Sequence, residues 1–271
     1  MGIVPREAAE QIVAHAQLDQ MDANRIREGI VATSHPLMAL ISELSNAVGE
    51  PSGGWVHWGA TTQNITQTGD ALLLKEVHQV FLGQIGEALS AMAALALEGK
   101  DMVCAGRTHG QQAVPITFGF KVASWIDEFS RHVERLRQVE PRVFTVMIGG
   151  AVGNYASLGT KGPEVEAIMA ERLGLRPMAV PSRAMSDFLA EYVCILGMIA
   201  GTTSRIASEV YLLMQAEFDE VSEPIPAGVT GSSTMPQKRN PQLADDCIAL
   251  SAQIRSLVPM ALEGMLHDHE V

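Results

Sequence analysis

Apolar residues recur every third or fourth position along most of the chain, the period of an α-helix with one buried face. The clearest case is residues 66 to 98, which hold no proline. There Leu74, Val77, Phe81, Ile85, Ala88, Met92 and Leu95 form one apolar stripe that ends near Gly99. Similar patterns predict helices after Pro5 (REAAEQIVAHA), over DANRIREGIVA, and after Pro36 up to Gly49, with proline and glycine as start and stop signals. Further helices are expected at about 115–139, stopping before Pro141, at 163–173, at 184–218, and from Pro241 through MALEGML. Between them, residues 50–64, a short loop CAGRTHGQQAVP and the glycine-rich 143–162 read as irregular. Residues 192–200 are apolar on every face, so that segment must be buried on all sides, with neighbouring subunits helping to enclose it. The fold class is all-α, a bundle of long helices, divided into a partial N-terminal helical domain at 1–64 and a central long-helix bundle at 65–271.

Composition narrows the function. With 47% hydrophobic and 18% charged residues the chain can build a large core. A net charge of −12 argues against nucleic-acid binding, yet leaves room for an anionic small molecule where positive charge is local. Cys104, Cys194 and Cys247 are scattered and read as free thiols in a reducing, cytoplasmic setting. The N-terminus has no signal-peptide core, and the most apolar run, 192–204, is too short to span a bilayer. The run His267, Asp268, His269, Glu270 reads as a solvated helix end and not as a metal site.

Three loops stand apart as polar islands at helix ends: HWGATTQNITQTG (57–69), GRTHGQQA (106–113) and GVTGSSTMPQKRNPQLADD (228–246). Singly, each has a plain reading: Thr61 and Thr62 as helix caps, His109 as a satisfied histidine, Ser232 and Ser233 as turn residues. Together they supply what proton abstraction beside a carboxylate needs. Removing that proton adds negative charge to the carboxylate, which calls for a cation and hydrogen-bond donors, the types of Lys238 and Asn240. The leaving group needs a proton, which His109 can donate. Ser232 can act as base only if its alkoxide is stabilised, for which backbone N–H groups of the Gly-Ser-Ser turn and a lysine are suited.

The stretch GSSTMPQKRNP (231–241) resembles the Gly-Ser-Ser-x-Met-Pro-x-Lys-x-Asn-Pro signature of the fumarase/aspartase superfamily. That superfamily includes fumarase, aspartase, argininosuccinate and adenylosuccinate lyases and carboxymuconate cycloisomerase. The resemblance extends to EVSEP (220–224) and to the other islands, and so to essentially the whole chain. It implies Ser232 as base, His109 as general acid with Thr108 beside it, and Lys238 and Asn240 on the substrate carboxylate. It further implies substrate contacts from Thr61, Thr62, Gln63, Gln111 and Ser233, no cofactor and no metal. It implies a homotetramer in which each active site draws its blocks from different subunits, with no membrane or nucleic-acid partner. The chain departs from the pattern at Asn64, where aspartate is usual, at Ser186, where adenylosuccinate lyases carry arginine, and at Pro36 after His35. FGFKVASWIDEFSRHVERL and GGAVGNYASLG resemble the cycloisomerase branch, while His109 fits the eliminating branch. Beside the family pattern the chain is expected to be incomplete, starting after an opening helix and stopping before a small C-terminal helical domain. The expected activity is β-elimination from a succinyl or aspartyl substrate with release of fumarate, as in adenylosuccinate lyase. The alternatives are lactonisation of a carboxymuconate and a non-catalytic, crystallin-like role.

Overall fold

The computed structural model describes residues 1–225, 228 and 231–270. Its elements are α1 (Arg6–His15), α2 (Ala23–Thr33), α3 (Met38–Val48), α4 (Thr62–Glu98), β1 (Val103–Thr108), β2 (Gln111–Thr117), α5 (Phe118–Val143), α6 (Gly162–Leu173), α7 (Asp187–Leu213) and α8 (Gln242–Glu263). The chain divides into two compact units, Met1–Glu76 with Phe144–Met185 and His267–Val271, and Val77–Val143 with Ser186–Leu266. The all-α reading holds, with one small addition.

That addition is β1–β2. The stretch expected to be a loop is an antiparallel hairpin pairing Thr108 with Gln111, with a bulge between Gly106 and Arg107. The two-residue turn has both φ angles positive, His109 at 52° and Gly110 at 72°, which matches the twist of the strands. Pro115 fits because β2 pairs on one side only, so a missing N–H on the free edge breaks no ladder bond. Other boundaries move as well, α7 running Asp187–Leu213 where 184–218 was expected. α4 starts at Thr62, inside the first polar island. α5 continues through Pro141 to Val143. Pro141 and Arg137, whose carbonyl the proline leaves unpaired, are both exposed, so water can satisfy that carbonyl.

In the first unit, Asp22 caps α2 by accepting from Asn24 N and Arg25 N, and the Arg25 guanidinium forks onto Glu43 of α3. Phe144, Val146, Met147 and Ile148 are buried although irregular. Thr68 Oγ1 exchanges bonds with Met147 N (2.9 Å) and Met147 O (3.2 Å), and Phe144 O and Val146 N pair with Arg176. Glu166, buried on α6, accepts from Tyr155 OH and from Met178 N at 2.8 Å.

In the second unit α7 packs on α5 and α8. Tyr192, Ile195, Gly197, Ile199 and Ala200 are buried, and in the 192–200 stretch only Met198 is exposed. The chain encloses most of this stretch itself, and α8 comes close enough that Val258 lies against the bare face of Gly197. The apolar surface left bare lies elsewhere. On α4, Val77, Val80 and Leu97 are 61–71% exposed, and on α8 Leu250, Leu257 and Met260 are exposed as well. The predicted stripe on α4 is thus only partly covered, with Ile85 buried and Val77 and Leu95 bare. α4 with its continuation to Asp101, and α7, are also long and apolar enough to cross a membrane by length and hydropathy.

A buried polar chain links α5 to α7. Arg135 Nη1 donates to His132 Nδ1 at 3.2 Å, which leaves the ring proton on Nε2, 2.8 Å from Thr202 Oγ1. The Thr202 hydroxyl donates to Glu128 Oε1 at 2.5 Å. Burial, and then the neighbouring Arg135 charge, push the His132 pKa down. In the unfolded chain the imidazole regains its ordinary value of about 6.5 and binds a proton the native state refuses. Its contribution to stability is therefore complete above that pH and is lost as pH falls below it. Urea unfolding of the wild type is expected to show stability declining from pH 7 to 5, and His132→Gln to flatten that slope in part. His57, also pushed down by burial, keeps the remainder. A slope identical in the two proteins would contradict this account.

Candidate active site

The first island lies in the first unit, at the start of α4. Asn64 is fully buried, and its Oδ1 accepts from Thr61 N (3.0 Å) and Gly150 N (3.1 Å). It ties the island to the glycine loop in the way an aspartate oxygen would. His35 Nδ1 accepts from Leu37 N and Met38 N at the start of α3. The His35 proton is then on Nε2, which donates to Thr62 Oγ1 at 3.3 Å. The Gln63 amide is held at both ends by Arg183: Oε1 accepts from Nη1 (2.9 Å) and Nε2 donates to the Arg183 carbonyl (3.0 Å). Gln67 Nε2 donates to the same carbonyl at 3.0 Å.

The second and third islands lie in the second unit. Thr108, His109 and Gln111 sit exposed at the hairpin tip. Arg107 anchors the hairpin. Its guanidinium forks onto Glu220, with Nη1 to Oε2 at 3.1 Å and Nη2 to Oε1. It also stacks 4.7 Å from the centre of the Phe218 ring. Arg107 holds Glu220 well below the usual carboxylate range, so the pair stays charged at neutral pH.

The serine loop is closed at two levels. At its foot, Glu223 caps α8, accepting from Leu243 N (3.0 Å) and Ala244 N (2.8 Å). Further in, Asn240 Nδ2 donates to Gly231 O at 3.0 Å. Ser232 Oγ, half-buried, accepts from Thr234 N (3.4 Å) and Met235 N (3.2 Å). Ser233 and Lys238 are exposed, and Lys238 has no ion-pair partner among the described residues. Val229 and Thr230 of this loop lie outside the described residues. A cavity of about 270 Å³ at the loop's foot is lined by Met92, Phe129, Ala207, Leu243 and Cys247. Its apolar walls suit no dicarboxylate.

The structure thus joins Thr61 to Asn64, Gln63 to Arg183 and Asn240 to the serine turn. Among the described residues no hydrogen bond links His109 to Ser232, Lys238 or Asn240. Sequence reasoning assigned no role to Arg183, Glu223 or Arg107, although Glu223 stands in EVSEP and Arg107 in the second island. A profile of the family described as "Lyase" matches residues 5–256.

The chain belongs to the fumarase/aspartase superfamily.

It is 41% identical over 270 residues to an N-acetyl-S-(2-succino)cysteine lyase of Enterococcus italicus, covering 100% of this chain and 59% of that protein. It is 39% identical over 272 residues to an adenylosuccinate lyase of Methanothermobacter thermautotrophicus, covering 100% and 61%. The crystal structure of a 3-carboxy-cis,cis-muconate lactonizing enzyme from Pseudomonas putida superposes with a TM-score of 0.88 at 32% identity, covering 99% of this chain and 60% of that one. This superfamily member therefore spans about three fifths of the length of the curated relatives it matches.

Proposed function

We propose that the protein is a lyase that eliminates an amine, oxygen or sulfur leaving group from a succinyl-type substrate and releases fumarate or a substituted fumarate. The observation that carries this reading is the seating of Ser232 Oγ on two backbone N–H groups. Those dipoles favour the alkoxide over the alcohol, and Lys238 in the same loop, without an ion-pair partner among the described residues, adds positive charge. In the proposed reaction Ser232 takes the proton from the carbon beside a carboxylate. The C–H electrons form the new C=C bond, and the leaving group departs with the electrons of its bond to the adjacent carbon and takes a proton from His109. Lys238, with the free N–H of Asn240 and with Ser233, balances the charge that builds on the carboxylate. Thr61, Thr62, Gln63, Thr108 and Gln111 orient the substrate.

The exposed His109, in the same unit as Ser232 but unlinked to it, favours a site completed by other subunits. The bare apolar faces of α4 and α8 favour a homotetramer that covers them. We read those faces as subunit contacts and not lipid contacts, because Asp70, Lys75, Glu76, Glu87 and Glu98 interrupt α4 along its length. Three free thiols agree with a cytoplasmic protein. The test is fumarate release from a panel of succinyl adducts of thiols, amino acids and nucleotides. The likeness to the lactonizing enzyme favours a second reading, cycloisomerisation. Loss of carboxymuconate absorbance with no fumarate formed would replace the elimination reading, and inertness toward both panels would remove the enzymatic one.

A further inference from the structure

A cavity of about 390 Å³ opens between α5 and α7, within the second unit. None of its lining residues belongs to the three islands. Its volume falls in the range of small-molecule sites, roughly 300–1,000 Å³. Its walls are basic. Arg131 and Arg135, about one helical turn apart on α5, and Arg205 on α7 bring three guanidinium groups to it, against the single Glu128 carboxylate. That local excess runs against the −12 of the whole chain.

Glu128 is already engaged at both oxygens, accepting from the Thr202 hydroxyl and from Arg205 Nη2. Arg205 and Arg131, the latter bound through Nη1 to Asp127, each keep further N–H groups. Arg135 has no carboxylate partner among the described residues. Its Nη1 donates to His132 Nδ1 at 3.2 Å, a neutral ring that leaves its charge uncompensated. The positive field registers at His132, where burial, then Arg135, and also Arg131 push the pKa down although Glu128 opposes them. Gly201 adds an independent observation. Glycine inside a helix is destabilising relative to alanine, so it calls for a packing or functional reason. Gly197, one turn earlier on α7, has one, since a Cβ there would stand 2.5 Å from Val258 Cγ2. Gly201 has no such reason: a Cβ there meets nothing within 4 Å. Its bare backbone lines the cavity and keeps that wall open.

We infer that this cavity binds a phosphate group, free or carried on a small organic molecule, with Arg135 as its chief ligand and Arg131 and Arg205 as flanking donors. Guanidinium groups arriving from two helices suit a tetrahedral dianion with several oxygens better than a planar carboxylate. The inference needs nothing of the elimination reading. It is tested on the full chain, isotope-labelled at the methionine methyls, by following the exposed Met198 methyl on the cavity wall. Met198→Leu assigns that signal. Phenyl phosphate, inorganic phosphate and succinate are titrated at fixed ionic strength, since loose attraction of anions to surface arginines varies with salt. At least one phosphate probe is expected to shift the signal to saturation with Kd below about 1 mM, and to bind more tightly than succinate. Tighter binding of phenyl phosphate marks an organic phosphate as the ligand; otherwise the free ion is. Arg135→Gln is expected to raise that Kd by roughly tenfold, the scale of a lost charge-assisted bond. Gly201→Leu, which keeps a good helix former on α7, should fill the cavity and remove the response. Failure of both phosphates to saturate by about 10 mM overturns the inference. So does succinate binding as tightly, or a Kd within threefold of wild type in either folded variant. The same holds if Gly201→Leu changes only the oligomeric state, which would make the glycine a contact between copies. Should one variant fail to fold, the other carries the decision.

Discussion

Ser232→Ala is expected to lower fumarate release by roughly 10³-fold or more, with KM changed far less, because the group that takes the substrate proton is gone. The fold should survive. Ser232 is half-buried, and the two N–H groups it now accepts from lie in a loop where water can replace it, at a cost of about 1 kcal/mol or less. The loop's closure depends on Asn240 to Gly231 and on Glu223 to the start of α8, none of which the substitution touches. A folded Ser232→Ala protein that keeps wild-type turnover on the true substrate would end the serine-base mechanism. A loss on the same scale in Ser233→Ala, with Ser232 intact, would move the assignment by one residue.

Gly153→Ala is expected to cost about 3 kcal/mol of stability. Gly153 has φ at +83°, and a Cβ there would stand 2.1 Å from the Pro181 carbonyl oxygen. The left-handed backbone costs a non-glycine residue about 1–2 kcal/mol. Overpacking adds about 1–3 kcal/mol, because the clashing atom is backbone and cannot rotate aside. Gly159→Ala is the control: its φ is +57°, but a Cβ there meets nothing within 4 Å, so only the backbone strain remains. Chemical denaturation of both variants should show Gly153→Ala the less stable by 1 kcal/mol or more. Equal losses would show that the Pro181 segment simply yields.

Much of this protein is legible in local pattern. Helical periodicity, with Pro5, Pro36 and Gly49 as punctuation, locates α1, α2, α3 and α6 to within a residue or two, since caps and stop signals act over one turn of chain. The GSSTMPQKRNP loop is recognisable for a similar reason: its signature lies within eleven consecutive residues. What local pattern missed depends on distant partners. Nothing in CAGRTHGQQAVP marks it as a hairpin, because short strands gain stability only from pairing with each other. Pro141 looked like a helix stop, and it is tolerated because the carbonyl it frees faces water, which is known only once the exposed side of α5 is known. Arg183 lies 120 residues from Gln63 and is bound to it through its own backbone carbonyl, a group every residue type carries. Sequence alone therefore determined the helices, the superfamily and the residue types of the candidate chemistry. Tertiary structure decided which of those groups are already engaged, because hydrogen-bond satisfaction belongs to the folded arrangement and not to the order of residues.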